Sequence, residues 1–181
     1  MQASQYKFCP FCGDLLETRI EDDGAPRQYC VRCRWTYYPH AAQSVGGVLV
    51  VGDRVLLVRR KKEPFPGTWM FPSGFIEYGE HPHDAAIREF LEETGLRVDV
   101  GEACGLYISS DDPREPGHLA FFFRVHNPVG VLRNDASENL ELAWFQIYGL
   151  PQIVLVNHAR VAKDLTSGNS RVPHVSGRWP L

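Results

Sequence analysis

The stretch from Gly74 to Leu96, GFIEYGEHPHDAAIREFLEETGL, constrains the fold of this chain more than any other segment. It contains six acidic side chains, and three of them, Glu89, Glu92 and Glu93, crowd around Arg88. Like charges three or four residues apart destabilise an isolated helix. A chain that places these carboxylates together therefore needs a countercharge, or a solvent-exposed face on which the repulsion is tolerated.

A helix is predicted from about Pro82 to Thr94, because proline suits the first turn and Gly95 suits the C-terminal cap. At about 100° per residue, the three carboxylates share one arc of this helix. The opposite arc is apolar and is predicted to pack on a sheet; it consists of Ile87, Phe90 and Leu91.

The acidic arc has two interpretations. In the first it is a solvated face, with an ion pair between Arg88 and Glu92, which lie one turn apart. In the second a hard divalent cation relieves the repulsion between Glu89 and Glu93, which also lie one turn apart. Mg²⁺ takes carboxylate oxygens and completes its coordination with waters and substrate phosphates.

Two Cys-x-x-Cys pairs lie near the N-terminus, separated by residues 13–29. This spacing is typical of a tetrahedral zinc site with four thiolate ligands, here Cys9, Cys12, Cys30 and Cys33. Disulfides are the alternative, but the N-terminus does not read as a secretory signal, which disfavours them. A redox motif normally comes singly. So short a segment buries little apolar surface, so structural zinc would supply its folding energy.

The composition indicates a soluble protein with a sizeable core. The chain is 44% hydrophobic, and its formal net charge is −3, which argues against a bulk electrostatic grip on nucleic acid. No apolar run approaches the roughly 20 residues of a membrane-spanning helix. We therefore expect a cytoplasmic protein with neither a membrane nor a nucleic acid as its partner.

Apolar segments after Ser44 predict strands on both sides of the acidic helix. A hairpin turning at Gly52-Asp53 comes first, and a loop rich in proline and glycine, residues 63–74, leads into the helix. Further strands are predicted beyond Gly95, and a final helix is predicted to begin near Pro151. The remaining residues, 166–181, show little periodicity and are expected to form a flexible tail.

The acidic stretch resembles the signature of the Nudix hydrolase family. That signature is a glycine, five residues, a glutamate, seven residues, and then Arg-Glu-apolar-x-Glu-Glu-x-Gly-apolar. Here it reads Gly74, Glu80 and residues 88–96, with every specified position matched. The resemblance implies an α/β class fold, an α/β/α sandwich with a mixed sheet over residues 40–165, preceded by a small zinc ribbon over residues 1–39.

The resemblance also implies hydrolysis that depends on Mg²⁺ or Mn²⁺. By position, the metal ligands would be the Gly74 carbonyl and the carboxylates of Glu89, Glu92 and Glu93, and Arg88 would orient a carboxylate. The general base has no fixed place in the family. The candidates are Glu89 and Glu92 inside the signature and Glu138 and Glu141 outside it; Glu141 is singled out for a catalytic or metal-binding role, against a plain surface charge on an edge strand.

The zinc ribbon narrows the resemblance to pyrophosphatases of FAD, ADP-ribose and NADH. No segment like the one that NADH enzymes share after the signature is found between Arg97 and Phe123, so ADP-ribose and FAD rank ahead of NADH.

Four residues are candidates for contact with the substrate. Arg59 or Arg60, in the basic run of residues 59–62, would reach a substrate phosphate, unless this run is a solvated strand end. Phe65 or Trp69 would stack on a base, although core packing explains Trp69 equally well.

We therefore predict an enzyme that cleaves the pyrophosphate bond of a small nucleoside-diphosphate substrate, of the adenine dinucleotide or ADP-ribose type. The alternative is a non-catalytic Nudix module that senses nucleotides or docks RNA or protein. The complete set of signature glutamates favours the enzyme. The resemblance also favours a homodimer, and a structural or dimer-forming role for the zinc ribbon.

Overall fold

A computed structural model describes residues 6–109 and 117–167 and the backbone of residues 174–176. The chain divides into two compact units, Met1–Ala41 and Ala42–Leu181. Within the described part, no helix is long and apolar enough to cross a membrane.

The first unit is a three-stranded antiparallel sheet. Its strands follow chain order and are β1 (Glu17–Ile20), β2 (Pro26–Cys30) and β3 (Trp35–Tyr37). The core of this unit consists of Cys9, Leu16 and Cys30, with Cys12 and Trp35 packed against them. An apolar core this small does not hold a fold by itself, which agrees with the expectation that a metal contributes the missing free energy.

The second unit is built on a mixed sheet, as predicted. Its strands are β4 (Gln43–Val51), β5 (Arg54–Arg60), β6 (Trp69–Met70), β7 (Ser73–Phe75), β8 (Leu96–Ser109), β9 (His118–Gly130), β10 (Asn139–Gln146) and β11 (His174–Ser176). The central order is β10-β5-β4-β9-β8-β11, with β6 beside β5 and β7 beside β4. The β4–β9 and β8–β11 pairs are parallel, and the other pairs are antiparallel.

Two helices, α1 (Pro82–Thr94) and α2 (Val156–Thr166), pack on opposite faces of this sheet. Side chains alternate between the faces of a strand, so neighbours on β5 separate: Leu56 joins the core around Phe90 of α1, and Leu57 joins the core around Val161 of α2. Burying each such side chain stabilises the fold by about 1.5–3 kcal/mol. The α/β/α sandwich is thereby confirmed.

Helix α1 has the predicted bounds, but its buried face differs from the prediction. The side chain of His81 caps the N-terminus, and Gly95 adopts the left-handed conformation at φ 73° beyond the C-terminus. Phe90 is fully buried as expected, whereas Leu91 is 43% exposed and Glu93 is only 2% exposed. The helix is therefore rotated so that one of the three carboxylates faces the sheet, and the prediction that Leu91 packs there was wrong.

Two other segments depart from the predictions. Part of the predicted loop over residues 63–74 is strand, because Trp69–Met70 pairs with β5 and Ser73–Phe75 pairs with β4. The final helix begins at Val156 and not near Pro151. Leu150 and Ile153 pack against the core from a non-helical segment, so their apolar spacing imitates a helix without forming one.

The C-terminal segment was predicted to be flexible. The backbone of residues 174–176 forms β11, which lies parallel to Gly105–Tyr107 of β8. Residues 168–173 and 177–181 lie outside the described part, so the predicted flexibility remains a prediction.

Candidate active site

Glu93 is held between two strands of the second unit. Its Oε2 accepts a hydrogen bond from the backbone N–H of Ser73 at 2.8 Å, and its Oε1 accepts one from Nδ2 of Asn139 at 3.4 Å. Burial raises the pKa of Glu93 to about 8. A carboxylate removed from water in this way gains from a nearby cation more than an exposed one does.

Glu89 lies directly against Gly74 of β7. A Cβ added at Gly74 would lie 2.1 Å from the carboxyl carbon of Glu89, so a residue with a side chain would displace the carboxylate. Burial also raises the pKa of Glu89. The glycine that begins the signature is thus required sterically, because it lets the carboxylate approach the β7 backbone.

Arg88 ties these groups together. Its guanidinium donates two hydrogen bonds of 2.8 Å to the carboxylate of Glu80, one of 2.6 Å to Oε1 of Glu89 and one of 3.0 Å to the carbonyl oxygen of Phe75. The hydrogen bonds from Arg88 lower the pKa of Glu80 to about 2. Glu92 is more exposed, and its Oε2 accepts from Arg88 at 3.4 Å. Glu80 is therefore the bidentate partner that fixes the arginine.

The donor set suits a hard divalent cation, although the carboxylates are not drawn into a tight cluster. Among the described residues, the four ribbon cysteines are the one group of three or more His, Cys, Asp or Glu side chains close enough together to hold a metal ion. The carboxylates of Glu89 and Glu92 are spread around Arg88, and Glu93 approaches from the buried side. Carboxylate and carbonyl oxygens are the ligands that Mg²⁺ prefers, so the residues fit the ion that the resemblance implies.

The two acidic candidates outside the signature occupy different places. Glu141 lies opposite Arg59 on the neighbouring strand, and the two form an ion pair at 3.1 Å. Glu138 forms an ion pair with Lys62 at 2.5 Å. Burial is the main cause of the raised pKa of both Glu89 and Glu93, and the negative charge of Glu138 raises both further. The negative charge of Glu138 therefore acts on the site.

The predicted substrate contacts mostly have protein partners. Arg59 donates to the carbonyl of Gly67 as well as to Glu141, and Arg60 donates to the carbonyls of Glu63 and Pro64.

The two aromatic candidates are both partly buried. Trp69 packs edge-on against Phe145 at 4.7 Å between ring centroids and contributes to the core. Phe65 is half-buried in the loop between β5 and β6. Of the four predicted contacts, Arg60 lines the cavity beside the site.

This cavity has a volume of about 140 Å³ and begins at the β7 backbone. Its walls come from six strands, the loop before β6 and the start of α2; they include Ser44, Arg60, Pro64, Met70, Ser73, Gly74, Phe75, Ser109, His118, Ala120, Leu155, Asn157 and His158. Sequence reasoning missed Asn139, Phe75, His118 and Asn157. These residues are scattered over the chain and form no motif, so no local signal identifies them.

The ribbon cysteines converge as predicted. All four Sγ atoms lie within 4.8 Å of one another, and none of the cysteines forms a disulfide. Gly13 makes the first knuckle turn at φ 77°, and the backbone N–H of Cys33 donates to Sγ of Cys30 at 3.3 Å. Hydrogen bonding to Cys12, together with burial, raises the pKa of Cys33 to about 12. Four thiolates this close require a cation, and tetrahedral Zn²⁺ fits the set.

Residues 40–165 match the NUDIX domain family. The chain belongs to the Nudix hydrolases. Residues 7–39 match the Nudix N-terminal zinc-ribbon family, so both units of this Nudix protein have family relatives.

Relatives that are named for their activities support the assignment. The protein is 33% identical over 132 residues to the ADP-ribose pyrophosphatase of Methanocaldococcus jannaschii, covering 72% of this chain and 76% of that relative. It is 29% identical over 150 residues to the NAD-capped RNA hydrolase NudC of Stutzerimonas stutzeri, covering 83% of this chain. This match spans 51% of the length of that relative.

A solved structure supports the fold over both units. The crystal structure of a NUDIX hydrolase from Nitrosomonas europaea aligns with a TM-score of 0.71 at 26% identity. The alignment covers 94% of this chain and 97% of that one.

Proposed function

We propose that this Nudix hydrolase cleaves the pyrophosphate bond of a nucleoside diphosphate linked to a second moiety, of the adenine dinucleotide or ADP-ribose type. The observation that carries the proposal is the meeting of Glu89 and Glu93 at β7, beside a cavity that begins at Gly74. A relative at 33% identity is named an ADP-ribose pyrophosphatase, which supports this substrate class.

The ligands of a catalytic Mg²⁺ or Mn²⁺ would be the carboxylates of Glu89, Glu92 and Glu93 and the carbonyl oxygen of Gly74. When bound, the metal would neutralise the charge of the diphosphate and activate water. The chain's other groups position these ligands. Arg88 fixes the Glu89 carboxylate, and the Ser73 N–H and the Asn139 amide fix Glu93.

The proposed general base is Glu138. Glu138 directly precedes Asn139, whose Nδ2 donates to Glu93, and its negative charge raises the pKa of both Glu89 and Glu93. Its carboxylate also forms an ion pair with Lys62. In the reaction, a water oxygen forms a bond to phosphorus as the bond to the bridging oxygen breaks, and Glu138 takes the proton from that water. Two phosphate-bearing products result. Glu141, whose partner is Arg59, stabilises the pairing of two strands in this scheme.

The test is a product assay. Purified zinc-loaded protein is incubated with Mg²⁺ or Mn²⁺ and with ADP-ribose, FAD, NADH or nucleoside triphosphates, and the products are separated by chromatography. Release of AMP from one dinucleotide or from ADP-ribose, at a clearly higher kcat/KM than from the triphosphates, is the expected result. Turnover of triphosphates alone would contradict the substrate class.

RNA capped with NAD is a second candidate substrate, because several relatives are named NAD-capped RNA hydrolases. The same assay includes a short capped RNA. Preferential decapping would replace the small-molecule substrate. No turnover of any substrate by a folded sample would favour the nucleotide-sensing module over the enzyme.

A further inference from the structure

The cavity beside β7 has one buried polar atom without a partner. Asn157, in the first turn of α2, is 4% exposed and lines this cavity. Among the described residues, its Oδ1 has no hydrogen-bond partner. A buried acceptor left without a donor destabilises the folded protein. A ligand that brings an N–H group into the cavity would remove that destabilisation.

The cavity also has an aromatic wall. Phe75 is 50% exposed, and its ring lies 5.7 Å from the ring of His118 at an angle of 33°. His118 is anchored by a contact of 2.7 Å between its Nε2 and Oγ of Ser44. An exposed ring on a fixed backing is a stacking surface for a flat heteroaromatic group.

The position of the cavity relative to the carboxylates limits what it can hold. Gly74 and Phe75 line it, the Glu89 carboxylate lies against Gly74, and Arg88 holds the Phe75 carbonyl. A diphosphate beside Glu89 would therefore place its attached nucleoside at the cavity. The volume of about 140 Å³ is well below that of pockets for complete drug-sized ligands, so it suits a single ring system.

We infer that this cavity is an adenine subsite, in which Asn157 accepts a hydrogen bond from the 6-amino group and Phe75 stacks on the ring. An asparagine amide matches the N6 and N7 edge of adenine, which offers a donor beside an acceptor. Arg60 also lines the cavity, but its guanidinium is bound to the carbonyls of its own loop. The inference rests on the proposed function for its diphosphate and adds which half of the substrate is recognised.

The experiment compares two ligands that differ only in the 6-amino group. AMP and its 6-deamino analogue, purine riboside 5′-monophosphate, are titrated by calorimetry in Mg²⁺ into the wild type and Asn157→Ala. The wild type should bind AMP about 10- to 100-fold more tightly than the analogue. In Asn157→Ala the two dissociation constants should agree within about twofold, because the amine has lost its partner.

Two further variants separate the stacking role of Phe75 from the hydrogen-bonding role of Asn157. Phe75→Leu should weaken both ligands alike, since stacking does not depend on the amine. Lys163→Ala, at an exposed position of the same helix, is the matched control and should leave both constants unchanged. If Asn157→Ala does not fold, Asn157→Ser replaces it. The ratio of the wild-type dissociation constants for AMP and the analogue still tests the adenine subsite.

Equal binding of AMP and the analogue by the wild type would overturn the adenine subsite. An unchanged ratio of the two dissociation constants in Asn157→Ala would also overturn it. So would tighter binding of FMN or nicotinamide mononucleotide than of AMP by the wild type, if Asn157→Ala abolishes that binding. Because the readout is binding, this failure is distinct from that of the proposed function. Metal-dependent hydrolysis of a diphosphate without adenine would refute the subsite and leave the hydrolase standing.

Discussion

At the scale of single residues, the site depends on carboxylates in unlike environments. Glu93 is buried with a raised pKa, Glu80 is paired with Arg88 at a lowered pKa, and Glu92 is largely exposed. The sequence predicted the identity of the signature glutamates, because their spacing is fixed. It did not predict which was buried, since that depends on the rotation of α1 against β4 and β7. Asn139 and Asn157 were missed for another reason, because they lie far from the signature in the chain and form no motif.

Replacing Glu93 should stabilise the fold at alkaline pH when Mg²⁺ and Mn²⁺ are absent. The ordinary pKa of 4.5 rises to about 8 in the folded state, so the native protein binds the proton more tightly than the unfolded chain. Stability therefore falls as pH rises from about 4.5 to about 8. In zinc-loaded protein without Mg²⁺ or Mn²⁺, Glu93→Gln should lose less stability than the wild type over this range, giving a Tm higher by a few degrees at pH 8.

Thermal unfolding at pH 5 and pH 8 checks this. The glutamine finds partners, because the Oδ1 of Asn139 has none among the described residues and the amide can turn to accept a hydrogen bond. Glu102→Gln, at an exposed glutamate, is the control. A pH-dependent loss as large in Glu93→Gln as in the wild type would show that this carboxylate is not the destabilising group.

Glu80 should show the opposite pH dependence. Its folded pKa of about 2 lies below the ordinary 4.5, so the stability it contributes is present above pH 4.5 and is lost as pH falls towards 2. Glu80→Gln should have a lower Tm than the wild type at pH 7, and the two should converge near pH 2. A constant difference across that range, measured by acid titration of unfolding, would exclude the ion pair with Arg88 as its cause.

At the scale of elements, the meeting of α1 with β7 creates the site. Both ends of α1 were predicted correctly, because Pro82 and Gly95 are local signals. The short β6 and β7 were missed, since each is two or three residues long and forms only by pairing with β5 or β4. The start of α2 was misplaced because Ile153 packs on the core without being helical.

Gly74→Ala tests the contact between these two elements. The new Cβ would lie 2.1–2.3 Å from the atoms of the Glu89 carboxylate, so the carboxylate must move away from β7. We expect kcat to fall by about 100-fold or more, because a displacement of about 1 Å in a catalytic constellation costs that much. Gly149→Ala is the control, since its Cβ meets ordinary contact at 3.8 Å. A Gly74→Ala enzyme with near wild-type kcat would refute the placement of Glu89.

At the scale of the whole molecule, the chain combines a ribbon that has four clustered cysteines with a sandwich that has a core on both faces of its sheet. The ribbon was readily predicted, because four cysteines at this spacing allow few other arrangements. The cavity could not be predicted, since its walls come from residues between Ser44 and His158 that only the fold brings together.

The ribbon should lose its fold without zinc. Metal analysis should find one zinc per chain, and Cys9→Ser should release it and lower the unfolding temperature of the first unit. Cys104→Ser is the matched control, because Cys104 is a buried core thiol whose pKa is raised to about 11 by burial. Zinc content and melting both unchanged in Cys9→Ser would refute the four-thiolate site.

The dependence of kcat on Mg²⁺, measured with the best substrate of the product assay in the wild type and in Glu93→Gln, tests the metal-dependent mechanism most directly. Turnover by the zinc-loaded wild type should rise with Mg²⁺ and stop when Mg²⁺ and Mn²⁺ are omitted. Glu93→Gln, folded and zinc-loaded, should fall by at least about 100-fold in kcat. Turnover by Glu93→Gln within about threefold of the wild type, or wild-type turnover that persists without Mg²⁺ and Mn²⁺, would refute the metal-dependent mechanism.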